Sequence, residues 1–268
     1  MMNRLMGLPI NASEHGAQID HMLELVHWFM LALFVFWGAF FAYCLIRFNS
    51  RSNPKASYFG MRSHFSTHAE ISVVLVETFL LVAFAFPLWA ARVNEMPLEN
   101  DAVIVRVIAQ QFGWNFHYPG KDGKFGRQHA ELIDAQNPIG LDRSDPDAKD
   151  DLVTINEMHL PIGRQAIVHV TSRDVIHNFA LPHMRIAQDA IPGTTVPIWF
   201  KPIRQGEYEV VCGQLCGAGH SSMKAWLYAD ESAEYQAWLD GMAARQTGPG
   251  GGTNPGAPAQ SPPKPSGV

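Results

Sequence analysis

Residues 25–46 read LVHWFMLALFVFWGAFFAYCLI, and His27 is the only basic or acidic side chain in this run of 22. A helix needs about 20 apolar residues to cross a bilayer. The run therefore predicts a transmembrane helix over about 24–46. A secretory signal peptide is the alternative, but it needs a shorter apolar core directly behind a basic segment. Polar and mixed residues fill positions 1–24, so a membrane span is favoured.

A second apolar run, ISVVLVETFLLVAFAFPLWAA at 71–91, contains Glu77 as its only charged residue. Two such runs predict a transmembrane helical hairpin over 23–95. Four basic residues lie between the runs, ahead of the first acidic residue, Glu70: Arg47, Arg51, Lys55 and Arg62. Because basic loops stay in the cytoplasm, both termini are expected outside it. The N-terminal tail over 1–22 is therefore predicted to be extracytoplasmic.

The chain from residue 96 onward has a different amino-acid composition. Six segments are rich in β-branched residues and are separated by Gly and Pro: 102–110, 152–156, 165–172, 196–201, 207–212 and 224–229. Short strands between turn signals predict a β-sandwich or barrel, here over 96–245. Residues 233–242 predict a short closing helix. Residues 246–268 are rich in Gly, Pro and Ser and predict a disordered tail.

The composition excludes several classes of function. Charged residues make up 17% of the 268 residues, below the roughly 25% of soluble proteins, and the two apolar runs explain this. The net charge of −5 argues against a nucleic-acid partner, which needs a basic surface. Three cysteines are too few for a disulfide framework. The acidic segment at 142–151 is interpreted as a solvated loop, or alternatively as a surface that attracts a basic protein.

Residues 212–223 read CGQLCGAGHSSM and place two thiols, an imidazole and a thioether within 12 positions. Cysteine, histidine and methionine together favour copper over hard cations. Glycines between them let the backbone fold tightly around an ion. A further histidine, His177, comes just after a predicted strand upstream.

Four kinds of site are compatible with this motif. A disulfide between Cys212 and Cys216 leaves His220 and Met223 without a role. Structural zinc does not use methionine. A mononuclear blue-copper site needs a single cysteine and leaves the second one spare. Two bridging thiolates, two histidines, one methionine and one backbone carbonyl make a two-copper site, which uses every residue of the set.

The chain resembles subunit II of the haem–copper cytochrome c oxidases over about residues 20–240. Besides the helical hairpin, four motifs carry the resemblance: QQFGWNFHYPG at 110–120, DVIHNFALP at 174–182, DAIPG at 189–193 and CGQLCGAGHSSM at 212–223. The resemblance implies a cupredoxin-like Greek-key domain with a binuclear CuA centre. The implied copper ligands are His177, Cys212, Cys216, His220, Met223 and the backbone carbonyl of Gln214.

The resemblance also implies a function and partners. Electrons from a cytochrome c donor would pass through CuA to haem in subunit I, where oxygen is reduced to water with proton pumping. Subunits I and III and the lipid bilayer are the implied partners. A bacterial plasma membrane is the implied location, with the copper domain and both termini on the periplasmic side. The sequence has no C-x2-C-H motif, so covalently bound haem is not expected.

Two positions differ from the family pattern. Gln214 stands where family members commonly have Glu, whose carboxylate helps to hold an interfacial magnesium ion. An amide lacks that charge. Phe112 stands where the family presents an exposed Trp that receives electrons from cytochrome c, and Trp114 follows two residues later. Phe112 and Trp114 are therefore the candidate electron-accepting residues.

The acids of the second span are interpreted separately. The resemblance makes Glu70 the candidate acid at the start of a proton path into subunit I, while a carboxylate that merely ends a helix is the alternative. Glu77 lies seven residues further on, which places it on the same helix face. A charge at that depth costs roughly 2.5–3.5 kcal/mol on insertion scales, so Glu77 is expected to face another helix.

Three other functions are alternatives, and one of them, nitrous oxide reductase, has a copper domain with a similar ligand loop. Nitrous oxide reductase would need a large additional catalytic domain, and the hairpin of about 95 residues is too small for one. A CuA subunit of a nitric oxide reductase is a nearer alternative, although a single membrane helix is expected there. A copper carrier or assembly protein would bind copper reversibly and need no second copper ion.

Overall fold

The computed structural model describes residues 2–55, 58–59 and 63–247. These residues form two compact units. The first unit contains the N-terminal residues up to Leu8 together with Ala17–Glu95. The second contains Pro9–Gly16 and the chain from Met96 onward.

The first unit is helical. Its helices are α1 (Met2–Leu5), α2 (Gly16–Arg47), α3 (Phe65–Leu80) and α4 (Phe86–Asn94), and a π-helical turn, Leu81–Ala85, joins α3 to α4 without a break. Two helical stretches, Gly16–Arg47 and Phe65–Asn94, are long and apolar enough to cross a membrane. Both are longer than the predicted 24–46 and 71–91, because the polar residues that flank each apolar run continue the helix. Arg62 of the basic loop lies outside the described residues.

The second unit is a sandwich of two five-stranded sheets followed by a helix. Its elements are β1 (Ala102–Gln110), β2 (Gly113–Tyr118), β3 (Leu152–Ile155), β4 (Glu157–Pro161), β5 (Gln165–Ser172), β6 (His177–Leu181), β7 (Ile186–Ala190), β8 (Val196–Phe200), β9 (Gly206–Cys212), β10 (Lys224–Asp230) and α5 (Ser232–Thr247). Within the described residues the sheet orders are β3-β2-β1-β5-β8 and β4-β10-β9-β6-β7. β1 lies parallel to β5 although the two strands are distant in sequence, so a crossover connection joins them.

The two sheets share one core. Val105 and Val107 of the first sheet and Val210 and Leu227 of the second are completely buried in it. All six strand segments predicted from the sequence are strands. The alternation of buried and exposed residues along β9 and β10 explains why such segments can be read from sequence.

Residues 9–16 form a strap on the β-sandwich. The extracytoplasmic location predicted for the N-terminal tail over 1–22 stays a prediction. The backbone of Ala12 donates to the carbonyl of His183 at 2.8 Å and accepts from the N–H of Ile203 at 2.9 Å. The Ser13 hydroxyl donates to the carbonyl of Met184 at 2.8 Å. Ala12 and Ser13 are completely buried, so the strap is part of the folded unit.

The acidic segment at 142–151 is not the solvated loop that was expected. Asp151 is completely buried and lies 2.6 Å from Nε2 of His117. The same carboxylate accepts the backbone N–H of Gly126 at 2.8 Å. Asp145 is 7% exposed and accepts from the side chain and backbone of Arg127. Two of the acidic side chains therefore hold the loop to the sandwich.

The closing helix is longer than the predicted 233–242. It extends over Ser232–Thr247, so its last two residues belong to the segment predicted as a tail. The rest of that predicted tail, 248–268, lies outside the described residues. Trp238 of α5 stacks on the ring of His159 in β4 at 4.2 Å, which fastens the helix to the second sheet.

Candidate metal centre

The candidate ligands meet at one end of the second sheet because β6 and β9 are neighbours. Phe179 of β6 pairs with Cys212, the last residue of β9. His177 is the first residue of β6, two positions before Phe179, so its side chain lies on the same face. The chain then forms the loop between β9 and β10, which carries the remaining candidate ligands and ends at Met223.

The donor atoms divide into two sets around the two sulfur atoms. Sγ of Cys212 lies 3.9 Å from Nδ1 of His177 and 3.1 Å from the carbonyl oxygen of Gln214. Sγ of Cys216 lies 3.8 Å from Nδ1 of His220 and 3.8 Å from Sδ of Met223. The Sγ atoms of Cys212 and Cys216 are 3.8 Å apart. Each set therefore has one thiol, one imidazole and one weaker donor.

These distances discriminate between the four kinds of site. A disulfide needs sulfur atoms about 2.05 Å apart, whereas Cys212 and Cys216 are free thiols. Zinc would leave the thioether of Met223 unused. A single blue copper at Cys212 and His177 would leave Cys216, with its own histidine and methionine, unused. The soft donors in two matched sets fit two copper ions that share the sulfur atoms.

The site is dry. His177 is completely buried, and Cys212, Cys216 and Met223 are 9%, 5% and 1% exposed. Burial, together with the neighbouring Cys212 thiol, raises the pKa of Cys216 to about 11. Metals bind the thiolate, so copper binding has to displace a proton from this thiol at neutral pH.

Two glycines of the ligand loop are required by close neighbours. A Cβ at Gly213 would lie 2.6 Å from the side-chain oxygen of Asn178. A Cβ at Gly219 would lie 2.5 Å from the ring of Phe112. The loop can follow this path only because these positions have no side chain.

Asp174 orients His177. Its carboxylate accepts from Nε2 of His177 at 2.9 Å, which leaves Nδ1 facing the Cys212 sulfur. It also accepts the backbone N–H groups of Gln111 and Val175, each at 2.7 Å. Burial raises the pKa of Asp174, but these hydrogen bonds outweigh it and the net pKa is lowered. An ionised carboxylate behind the ring fixes the histidine tautomer that a metal needs.

The two aromatic candidates occupy different environments. Phe112 is 41% exposed, and its ring covers the ligand loop at Gly219. Trp114 is completely buried, with its ring 6.2 Å from the His177 ring and 5.5 Å from the Phe179 ring. Of the two rings, that of Phe112 is the one exposed to a partner protein. The roles of Phe112 and Trp114 in electron entry stay predictions.

The two acids of the helical unit are remote from these ligands in sequence and lie on α3. Glu70 and Glu77 are both exposed, as the apolar residues around them are. Their spacing of seven residues keeps them on one face of the helix. Their role in proton transfer stays a prediction.

Sequence analysis missed two residues of the centre. Gln111 and Asp174 each contact a segment that carries ligands, but neither is a ligand. Asp174 stands three residues before His177, and this spacing is the one signal that pointed to it. Gln111 stands in the motif QQFGWNFHYPG at 110–120, but nothing local indicates its contacts, which are more than 60 residues away in sequence.

Comparison with known proteins identifies relatives that match most of the chain. The family model described as the periplasmic domain of cytochrome c oxidase subunit II matches residues 103–229. The alternative cytochrome c oxidase subunit 2 of Bradyrhizobium diazoefficiens is 34% identical over 83% of this chain and 79% of that protein. Cytochrome c oxidase subunit 2 of Cereibacter sphaeroides is 26% identical over 87% of this chain and 79% of that protein. The solved periplasmic domain of cytochrome oxidase subunit II from Bradyrhizobium japonicum is 28% identical, covers 55% of this chain and 96% of that one, and has a TM-score of 0.41.

Proposed function

The chain belongs to the cytochrome c oxidase subunit II family, and on this premise we propose that it is the electron-transfer subunit of a terminal oxidase. Loaded with copper, the chain would take electrons from a cytochrome c and pass them to haem in subunit I, where oxygen is reduced to water with proton pumping. The observation that carries the proposal is the pair of matched donor sets around Cys212 and Cys216.

Copper ions are the cofactor that these donors fit. The residues that would hold two of them are His177, Cys212, Gln214 through its carbonyl, Cys216, His220 and Met223. Bound there, the ions supply a one-electron acceptor with the same ligands in both oxidation states. The chain contributes ligands that the fold holds in place, four of them buried, which keeps the reorganisation on electron transfer small.

The surface next to the centre supports docking of an electron donor. Phe112 exposes part of its ring while the opposite side covers the ligand loop. An exposed aromatic ring in contact with the loop gives a short path from a partner protein to Cys216. The net charge of −5 is favourable for a basic cytochrome c.

The topology supports a periplasmic location for the copper domain. The strap Pro9–Gly16 precedes the first span, yet it lies in the same folded unit as the chain after the second span. This arrangement supports an even number of crossings, with both ends of the proposed hairpin on one side of the membrane. With the basic loop in the cytoplasm, that side is the periplasm of a bacterial plasma membrane. Subunits I and III then surround the spans within the bilayer.

Metal content of the purified full chain in detergent tests this function. The wild-type chain should bind two copper ions and show one unpaired electron shared between them in spin resonance. Cys216→Ser should lose the shared signal, whereas Cys44→Ser, which changes a cysteine in α2, should keep it. One copper ion, or a preference for zinc, in the wild-type chain would sink the proposal.

Co-purification separates the remaining alternatives. An oxidase subunit should be isolated with a haem-bearing partner that consumes oxygen when a cytochrome c is supplied. A partner that reduces nitric oxide instead would indicate the nitric oxide reductase alternative. A copper carrier would be isolated without haem and would release its copper to a chelator.

Two finer roles accompany the proposal. Glu70 is the proposed acid at the start of a proton path, and Glu70→Gln should slow proton uptake by the assembled oxidase while leaving copper content unchanged. An unchanged uptake rate would make Glu70 a carboxylate at a helix end only. Gln214 offers an amide, not a carboxylate, toward an interfacial magnesium ion, so weaker magnesium binding than with Gln214→Glu is expected.

A further inference from the structure

Gln111 connects both donor sets of the metal centre, although it is not a ligand. Its backbone N–H donates to Oδ2 of Asp174 at 2.7 Å. The other carboxylate oxygen, Oδ1, accepts from His177. The side-chain amide Nε2 of Gln111 donates to the carbonyl oxygen of Cys216 at 2.6 Å. One residue therefore reaches the segment that orients His177 and the backbone of the second cysteine.

The ligand loop is shaped around this amide. Gly217 follows Cys216 with a φ of +139°, and a Cβ there would lie 2.9 Å from Nε2 of Gln111. The loop thus has no side chain at the point where the amide approaches it. The hydrogen bond fixes the peptide group of Cys216, and with it the direction in which the Cys216 side chain leaves the backbone.

The turn between β1 and β2 does not need the side chain of Gln111. The pairing of Gln110 with Gly113 closes the hairpin through the backbone. The amide instead reaches away from the hairpin, to a loop more than 100 residues later in the chain. A turn-forming role therefore leaves the Gln111–Cys216 contact unexplained.

We propose that Gln111 is a positioning residue of the metal centre. It holds the Cys216 carbonyl with its side chain and Asp174 with its backbone, and it joins both to the exposed ring of the next residue, Phe112. This inference rests on the proposed copper-binding function and deepens it. In this role Gln111 aligns the two donor sets with the surface that receives electrons.

The test uses the copper-loaded full chain and a matched pair of variants. Gln111→Met keeps the length and volume of the side chain but removes the N–H donor. Gln205→Met makes the same change at the far end of β9, where the amide of Gln205 donates to Glu234. Gln111→Met should lower copper affinity by about 10–100-fold, as the loss of such outer contacts typically does. It should also alter the copper hyperfine splitting and shift the reduction potential, whereas Gln205→Met should change none of these.

A second variant separates the effect of losing the N–H donor of Gln111 from the effect of changing its side-chain shape. Gln111→Glu keeps the shape but cannot donate to a carbonyl, so it should alter the spectrum and the affinity as Gln111→Met does. Wild-type behaviour of Gln111→Glu, or identical behaviour of the Gln111→Met and Gln205→Met chains, would overturn the positioning role. A wild-type chain without two coppers sharing one electron would instead refute the proposed function itself. Thermal unfolding of each chain before copper is added distinguishes a folding defect from a loss of copper affinity. A variant that fails to fold without copper contradicts the positioning role.

Discussion

Two buried histidines in the same sheet have opposite environments. His177 begins β6, and one of its ring nitrogens faces Asp174 while the other faces the Cys212 sulfur. His159 lies in β4, at the edge of the sheet, and both of its ring nitrogens face carboxylates. Nδ1 lies 2.6 Å from Asp230, and Nε2 lies 3.0 Å from Glu157. One histidine keeps a lone pair for a metal, and the other has none to offer.

The surroundings of the two rings reinforce this difference. The rings of Tyr228 and Trp238 stack on His159 at 4.6 Å and 4.2 Å, an arrangement that favours a cation. Burial lowers the pKa of His159, but the hydrogen bonds with Asp230 and Glu157 outweigh it, and the net pKa is raised. The comparison teaches that burial alone does not make a histidine a ligand. The partner of the second ring nitrogen decides between a ligand and a structural cation.

Exchanging the two histidines for leucine gives the largest expected effects. His177→Leu should abolish the shared-electron copper signal, because one donor set loses its imidazole. His159→Leu should keep that signal but lower the free energy of unfolding by about 3–5 kcal/mol, since two mostly buried carboxylates lose their partner. Copper titration and denaturant unfolding of the two chains measure both quantities. Retention of two coppers by His177→Leu would break the comparison.

Substitutions of Asp174, which faces the His177 ring, and of Asp230, which faces the His159 ring, should show the same contrast. Their effects should be smaller than those of the histidine substitutions. Asp174→Ala should lower copper affinity by about 10–100-fold, because the ring of His177 loses its orienting acceptor. Asp230→Ala should leave copper affinity unchanged and lower the free energy of unfolding by about 1.5–3 kcal/mol, typical of a hydrogen bond to a charged group. Isothermal titration with copper distinguishes the two. Equal copper affinity in both variants would contradict the assigned roles.

The pH dependence of stability sharpens the comparison with a third histidine, His117. The raised pKa of His159 gives stability that is complete below about pH 6.5 and is lost as the pH rises through the folded-state pKa. Burial lowers the pKa of His117 despite its hydrogen bond with Asp151. Its contribution is therefore present above about pH 6.5 and is lost as the pH falls.

Unfolding of the full chain at a series of pH values tests these opposite signs. His159→Gln should flatten the decline in unfolding free energy on the alkaline side. His117→Gln should flatten the decline on the acidic side. If His159→Gln changed the acidic side instead, the charged state assigned to His159 would be wrong.

The smallest effect is expected in the strap, which contacts neither histidine. Ser13→Ala removes one buried hydrogen bond to the carbonyl of Met184 and should lower the free energy of unfolding by about 0.5–1.5 kcal/mol. Copper content and the pH dependence should both stay as in the wild-type chain. A change in copper content would show that the strap influences the metal centre.

The parts that could be predicted from sequence are those with a local pattern. The loop from Cys212 to Met223 carries five of the six candidate ligands within 12 residues, and β1 and β5 are rich in β-branched residues. The sequence alone shows the ligand chemistry of the loop and the composition of the strands, without knowledge of their tertiary contacts. The spans of the hairpin are visible for the same reason.

The parts that could not be predicted depend on contacts between distant segments. β6 and β7 read HNFAL and IAQDA, and their polar residues hide the strand pattern because they face the metal centre or solvent. The strap at residues 9–16 has no periodicity, since backbone hydrogen bonds hold it to the sandwich. Gln111 belongs to a family motif, but its contact with Cys216 exists only once the fold brings the two residues together.

Spin resonance of the full chain loaded with isotopically pure copper tests the central claim most directly. The two donor sets around Cys212 and Cys216 predict hyperfine splitting from two equivalent copper nuclei that share one unpaired electron. A spectrum with splitting from a single copper nucleus would contradict the binuclear centre and, with it, the proposed function.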